Sequence, residues 1–318
     1  MNLLIFASGK GSNFEAIVKA SQKGYLPAKV LGLVCDKECP AIEIAKENSI
    51  PCSIVAPKNF IDKNEYIKKL IELVAEYAPD YIVLAGYMRI IPSELIDLYP
   101  LKIINIHPSI LPAFPGVDSI KRAWEAKVKV TGATVHYVND RLDQGAIIDQ
   151  GEILVPDTLE NLEAAIHELE HKIYPAAIKK IEENSYDVLV VSSCLLGVNC
   201  RYDGKNKFSK RVKKFVDNFR GEIISVCPEI EAGFLVPRDR ITLVDGKAIM
   251  ENNNVDVSAK ILAASDRILQ GIDKKRRVMA IVKERSSSCG LMPLQGLFTE
   301  RLFNLFKDDI FVITEEDL

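Results

Sequence analysis

The chain has 318 residues, 48% hydrophobic and 27% charged, with 41 Lys+Arg against 44 Asp+Glu and a formal net charge of −3. At roughly 100–200 residues per domain this length predicts two domains, and the ordinary composition excludes a disordered tail, a collagen-like repeat and a disulfide miniprotein. Residues 1–187 are net acidic and the remainder slightly basic, short of the strong basicity of a nucleic-acid binder, so no nucleic-acid partner is expected.

Residues 2–7 read as a buried first strand, not a signal peptide, and no apolar run approaches the ~18 residues of a membrane helix. A cytoplasmic protein without a membrane partner is expected. Helical periodicity follows over 12–22, then a second strand over 30–35. An amphipathic helix over 66–77 carries Ile67, Leu70, Ile71 and Val74 on one face. Buried strands over 81–85 and 102–106 complete the pattern of a parallel sheet with crossover helices. From 128 to 155 two strands joined around Asp140 to Gly145 predict antiparallel additions, and a long helix over 159–183 closes this half.

A new strand over 187–192 begins abruptly after Glu182-Glu183-Asn184-Ser185. The boundary is placed there, giving domains 1–187 and 188–318. Further strands are expected near Val188 and over 222–226, 278–282 and 310–313, with helices over 207–219, 257–269 and 296–306. The predicted fold class is α/β in two domains. The N-terminal one is a Rossmann-like sheet with crossover helices, and the C-terminal one is a smaller α/β domain.

Ser8-Gly9-Lys10-Gly11-Ser12-Asn13 follows the first strand and opens the first helix. Glycines let the backbone approach an anion, and free helix-start amides favour phosphate. The pattern is neither the dinucleotide fingerprint nor a Walker A loop, so a mononucleotide-type phosphate competes with a plain tight turn. Asn105 and His107 share one face at the end of a strand that Pro108 and Pro112 terminate. Open sheets bind ligands at that edge. An amide and an imidazole there can hold a carbonyl oxygen and move a proton, and a nearby carboxylate, with Asp143 the candidate, favours the imidazolium. By spacing alone a satisfied core histidine fits equally well.

The stretches Ser8 to Asn13, Gly86-Tyr87-Met88-Arg89-Ile90, Asn105 to Pro115, Thr131 to His136, Leu142-Asp143-Gln144-Gly145 and Glu170 to Pro175 follow in order. Together they closely resemble the phosphoribosylglycinamide formyltransferase family of folate-dependent purine-synthesis enzymes, over residues 1–187. The resemblance implies a catalytic set of Asn105, His107 and Asp143. These would move the formyl group of 10-formyltetrahydrofolate to the amine of glycinamide ribonucleotide. It implies that Gly11, Ser12 and Asn13 hold the ribose phosphate and that Glu170 holds the substrate's amino end. Met88, Arg89, Ile90 and Ile91, with Asn105, would meet the folate. Lys63 stands where the family often has arginine, and offers a charge without a planar fork. His167-Glu168-Leu169-Glu170-His171 also matches the zinc-protease pattern HExxH, but Glu170 and His171 already belong to the family match. Cys35 and Cys39 are read as unpaired loop thiols in preference to metal ligands.

The chain's seven cysteines, an odd number, favour free thiols or metal ligands over a disulfide framework. In the second half Cys194, Cys227 and Cys289 each follow a predicted strand, so one sheet edge could gather them. Buried cysteines acting as small hydrophobes are the alternative. Ser193-Cys194-Leu195-Leu196-Gly197 through Arg201-Tyr202-Asp203-Gly204, Cys227-Pro228-Glu229 with Pro237-Arg238, and Lys283 through Gly290 are similar to a family that includes thiouracil desulfurases. That similarity implies a 4Fe–4S cluster on Cys194, Cys227 and Cys289, a thiolated pyrimidine as substrate, and assistance from Glu229 and Ser286. Cys200 reads as a bystander. The family usually has proline at Ser287, and its glycine-rich segment after Gly290 is cut short here, over 291–295.

A bifunctional enzyme is therefore the leading expectation. The alternatives are a formyltransferase whose second half is a non-catalytic cluster-binding or redox-sensing module, and another formyl enzyme, a formyltetrahydrofolate hydrolase or a transfer-RNA formyltransferase.

Overall fold

The computed structural model describes residues 1–183, 186–291 and 295–318. Asn184 and Ser185 of the expected boundary, and residues 292–294 of the shortened segment, lie outside the described residues. The chain divides into two compact units, Met1–Glu183 and Asn184–Leu318.

The first unit runs β1 (Asn2–Ala7), α1 (Ser12–Gln22), β2 (Lys29–Cys35), α2 (Ala41–Glu47), β3 (Cys52–Ile54), α3 (Lys63–Tyr77), β4 (Tyr81–Leu84), α4 (Ser93–Leu98), β5 (Ile103–His107), α5 (Ser119–Glu125), β6 (Val130–Tyr137), β7 (Ile147–Leu154) and α6 (Leu159–Glu183). Its seven strands form one sheet in the order β3-β2-β1-β4-β5-β6-β7. The strands from β3 to β5 are parallel, and β6 and β7 are antiparallel additions, as the sequence predicts. The near-continuous apolar β1 is buried on both faces, and Leu4, Phe6 and Ile82 pack against Leu70 and Val74 of α3. The strand order reverses between β1 and β4, so their carboxyl ends open a crevice.

The second unit runs β8 (Val188–Ser192), α7 (Lys210–Asp217), β9 (Glu222–Val226), α8 (Pro228–Glu231), β10 (Ile241–Val244), β11 (Lys247–Met250), α9 (Ser258–Gln270), β12 (Val278–Val282), α10 (Leu297–Phe306) and β13 (Ile310–Thr314). Four parallel strands form a sheet in the order β13-β12-β8-β9, and β10 and β11 form a separate antiparallel pair. The α/β class holds for both units. The predicted helix over 207–219 is shorter in the structure. Lys207 and Ser209 donate their amides to the carbonyls of Cys194 and Leu195, and α7 starts only after Ser209, whose side chain caps Val212 N–H. Among the described residues no helix is long and apolar enough to cross a membrane.

One fully buried side chain fixes α6 to the first sheet. The Tyr174 hydroxyl lies 3.0 Å from Leu84 O and 3.1 Å from Ile104 O, on the neighbouring strands β4 and β5. Glu170, one turn earlier, is thereby placed beneath α1. Tyr174→Phe removes this donor while keeping the ring's volume. It is expected to cost about 1–3 kcal/mol of stability, read by urea unfolding. An unchanged midpoint would show that the hydroxyl does not hold the helix.

Candidate functional site

Strand β1 stops at Ala7, and the chain turns through Ser8 to Gly11 into α1. Gly11 has φ +80°, and a Cβ there would lie 2.7 Å from Ala41 Cβ, so the turn requires glycine. The first amides of α1 stay free of side-chain caps, the arrangement that receives an anion. Asn13, in the first turn, is buried; its Nδ2 donates to Glu170 Oε2 at 3.1 Å. Asn13 Oδ1 has no hydrogen-bond partner among the described residues. Glu170 also accepts from His167 Nδ1 at 3.1 Å, and this bond raises the basicity of the imidazole. Glu168, by contrast, is exposed and pairs with Lys172. The HExxH letters thus serve an Asn13–Glu170–His167 cluster, and His167 is a member that spacing alone concealed.

The loop after β4 meets the glycine loop directly. Ser8 N–H donates to Gly86 O at 3.1 Å, and Met88 N–H donates to Ser8 Oγ at 2.9 Å. Arg89 Nε donates to Asp36 Oδ2 at 2.9 Å. The side chains of Met88 and Ile90 are exposed while Ile91 is buried, so the loop offers apolar surface on an anchored backbone. Lys63 is exposed on the first turn of α3, one turn before Tyr66, whose hydroxyl meets that of Tyr87 at 3.1 Å.

At the end of β5 the structure gathers Asn105, His107 and Asp143. His107 Nδ1 lies 3.4 Å from Asp143 Oδ2, and Nε2 lies 2.9 Å from Phe114 O. An acceptor faces each ring nitrogen, the arrangement that suits an imidazolium. Asp143 is held by Gly116 N–H at 2.7 Å and lies 3.7 Å from His136 Nε2. His136 Nδ1 is 2.8 Å from Tyr137 O, which only accepts, so Nε2 is left to accept from Asn105 Nδ2 at 3.2 Å. Burial lowers the pKa of His136. A neutral His136 thus orients the Asn105 amide, a role that its position inside β6 does not advertise. Thr134 and Gln150 brace the intervening loop through Ser109 O and Leu111 O at 2.7 and 2.9 Å.

In the second unit a cavity of about 340 Å³ is lined by Cys194, Cys200, Cys227, Cys289, Glu229 and Ser286, among others. Cys194, Cys227 and Cys289 arrive from the ends of β8, β9 and β12. Cys200, expected as a bystander, lines the same cavity; its carbonyl accepts from Cys227 Sγ at 3.8 Å, and the neighbouring Cys194 pushes its thiol up to about 11. The Cys227 thiol is pushed up first by Cys200 and then by burial, and Cys289 first by burial and then by Cys227. Glu229 accepts from Ser288 Oγ at 2.8 Å and from Arg238 Nε at 2.9 Å. Ser286 Oγ accepts from Cys289 N–H at 3.2 Å, so it shapes the turn that carries this thiol. Among the described residues no three His, Cys, Asp or Glu side chains are grouped to hold a single metal ion.

Comparison with known proteins agrees with this division. The formyl transferase family matches residues 1–178, and the 2-thiouracil desulfurase family matches residues 189–305. The phosphoribosylglycinamide formyltransferase of Bacillus subtilis is 47% identical over 180 residues, covering 56% of this chain and 92% of that protein. That of Escherichia coli is 34% identical over 181 residues, covering 56% and 85%. Among solved structures, the phosphoribosylglycinamide formyltransferase of Bacillus halodurans superposes with a TM-score of 0.55 at 42% identity, over 57% of this chain and 95% of its own. The glycinamide ribonucleotide transformylase 1 of Symbiobacterium toebii gives 0.57 at 34% identity, over 58% and 89%. With a family match over more than half its length and relatives covered almost end to end, the chain belongs to the formyl transferase family.

Proposed function

We propose that the N-terminal unit transfers the formyl group of 10-formyltetrahydrofolate to the amine of glycinamide ribonucleotide. The observation that carries this reading is the His107–Asp143 pair at 3.4 Å beside Asn105, on the sheet edge where the glycine loop also ends. The phosphate sits on the amides of Ser12 and Asn13, where Gly11 lets it approach. Glu170, already hydrogen-bonded to His167 and Asn13, draws in the substrate's amino end, with the free Asn13 Oδ1 beside it as a further acceptor. The folate lies along the loop of Met88, Arg89, Ile90 and Ile91, with Lys63 near its charged end.

The reaction then follows from the charges. The amine nitrogen attacks the formyl carbon, and the carbonyl oxygen becomes an oxyanion. Asn105 Nδ2, aimed by His136, and the imidazolium of His107 stabilise it. Asp143 Oδ2 faces His107 Nδ1 and holds the ring in place for the proton transfer. As the bond from the formyl carbon to the folate nitrogen breaks, that nitrogen takes a proton and the new amide loses one, with His107 as the relay. All seven cysteines are free thiols, the state that a reducing compartment maintains, and this supports a cytoplasmic enzyme.

For the second unit we propose a 4Fe–4S cluster held by Cys194, Cys227 and Cys289. The residues fit such a group in kind. Soft thiol donors from the ends of three strands line one cavity, the donor type that iron–sulfur clusters take as thiolates. When bound, such a cluster supplies an iron without a protein thiolate, open to the sulfur of a thiolated pyrimidine. Glu229, fixed by Ser288 and Arg238, and the Ser286 turn would orient that substrate.

His107→Ala and Asp143→Asn are each expected to lower kcat about 10²–10⁴-fold, with glycinamide ribonucleotide still bound. Near-normal turnover in both would remove the catalytic assignment. Glu170→Gln should raise KM for glycinamide ribonucleotide while leaving that for the folate in place; parallel rises would make Glu170 a general structural support. For the second unit, iron and sulfide are reconstituted anaerobically into full-length Cys→Ser variants and iron is counted. Loss at positions 194, 227 and 289 with retention at 200 is expected. Full iron in the Cys289→Ser protein, or equal loss at Cys200, contradicts the three-thiolate site.

A further inference from the structure

A second group of thiols lies in the first unit, and the catalytic set of Asn105, His107 and Asp143 does not use it. Cys35 ends β2, Cys39 follows in the loop that enters α2, and Cys52 opens β3. Cys39 Sγ points at Cys35 Sγ at 3.5 Å. Cys52 stands on the neighbouring strand, which pairs Cys35 with Ile54. Cys35 is buried, whereas Cys39 and Cys52 are half-buried and reach solvent. The sequence alone leaves Cys35 and Cys39 as loop thiols; the fold brings in Cys52.

The loop that carries this pair is also the wedge between the two ligand loops. Asp36, next to Cys35, holds Arg89, and Asp36 Oδ1 has no hydrogen-bond partner among the described residues. Ala41, two residues after Cys39, donates its amide to Gly9 O at 3.2 Å and packs against the site of Gly11. A displacement of residues 36–41 therefore reaches both the phosphate loop and the loop of Met88 to Ile91.

We propose that Cys35 and Cys39 form an oxidisable site in which hydrogen peroxide is reduced to water, a Cys35–Cys39 disulfide forms, and formyl transfer is thereby switched down. The pairing follows from geometry. β2 and β3 pair Leu33 with Cys52 and Cys35 with Ile54, so Cys35 and Cys52 are diagonal neighbours on one face. Cys35 and Cys52 are therefore not directly opposed, whereas the Cys39 sulfur lies within 3.5 Å of Cys35. Cys35 and Cys39 need only close from 3.5 Å to a bond of about 2.05 Å, a movement that the loop can supply.

The chemistry balances with peroxide as the oxidant. The Cys39 thiolate attacks one peroxide oxygen; an S–O bond forms, the O–O bond breaks, and hydroxide leaves to become water. The Cys35 sulfur then attacks the resulting sulfenic sulfur, and the second hydroxide leaves and is protonated. The proton of Cys35, which its neighbours hold on the thiol until the attack, goes to that leaving hydroxide and completes the second water. Two thiols give one disulfide, and one peroxide gives two waters.

The functional half of this proposal rests on the formyl-transfer reading, whereas the disulfide is read independently by mass. The reduced full-length protein is exposed to hydrogen peroxide, remaining thiols are alkylated, and linked peptides are mapped. A Cys35–Cys39 link is expected, with kcat/KM for glycinamide ribonucleotide falling by about 10–100-fold and returning with a thiol reductant. Cys39→Ser and Cys39→Ala are expected to keep the basal rate and to hold it through peroxide treatment, which separates this site from the C-terminal thiols. Cys35 and Cys39 that remain alkylatable overturn the proposal. A link that leaves the rate unchanged, or equal inactivation of both Cys39 variants, overturns the switch. A reduced protein without formyl transfer overturns the formyl-transfer reading and leaves the mapped disulfide to judge the thiol site alone.

Discussion

One nearly enclosed carboxylate organises the N-terminal site. Asp143 faces His107 Nδ1 and accepts from the Gly116 amide, with the neutral His136 ring at its other oxygen, so the fold supplies its polar partners. This placement requires β5 and β6 to be antiparallel neighbours, because Asn105 pairs with His136 and His107 with Thr134 across that ladder. It also requires the turn after β6 to carry Asp143 back over the end of β5. A buried carboxylate is costly unless its partners stay in place. The surrounding bonds of Thr134, Gln150 and Ser109 are the means by which they do.

Both units use one construction principle. Parallel strands deliver their carboxyl ends to one edge, and the strand order reverses between β1 and β4 and again between β8 and β12. In the first unit that edge receives glycine amides, an amide, imidazoles and carboxylates, which suit charge and proton transfer. In the second it receives thiols backed by a fixed Glu229–Arg238 pair, which suit soft ligands. The same topology thus presents different chemistry according to which residues follow the strands.

Much of this was legible in the sequence. Apolar runs of buried strands and the 3.6-residue period of α1, α3 and α6 stand out because burial on both faces, or on one, leaves a plain pattern. Asn105 and His107 were visible through strand alternation, and the glycine loop through its place between strand and helix. Asp143 was visible only as a candidate carboxylate, because it lies far along the chain from His107, and the family resemblance made it one of the catalytic set. His136 was hidden for a related reason, since alternation inside β6 does not reveal which ring nitrogen is free. Short elements such as α2, β3 and the β10–β11 pair left no periodic signal. Cys200 could not be separated from a bystander because its neighbours come from other strands, and Cys52 was silent for the same reason.

The central claim is that this edge passes a formyl carbon to an amine and not to water. The direct measurement incubates the full-length chain with 10-formyltetrahydrofolate and glycinamide ribonucleotide and follows the formyl carbon into products. The account predicts formylated glycinamide ribonucleotide in equal amount to the deformylated folate. Release of formate with the ribonucleotide untouched would contradict it.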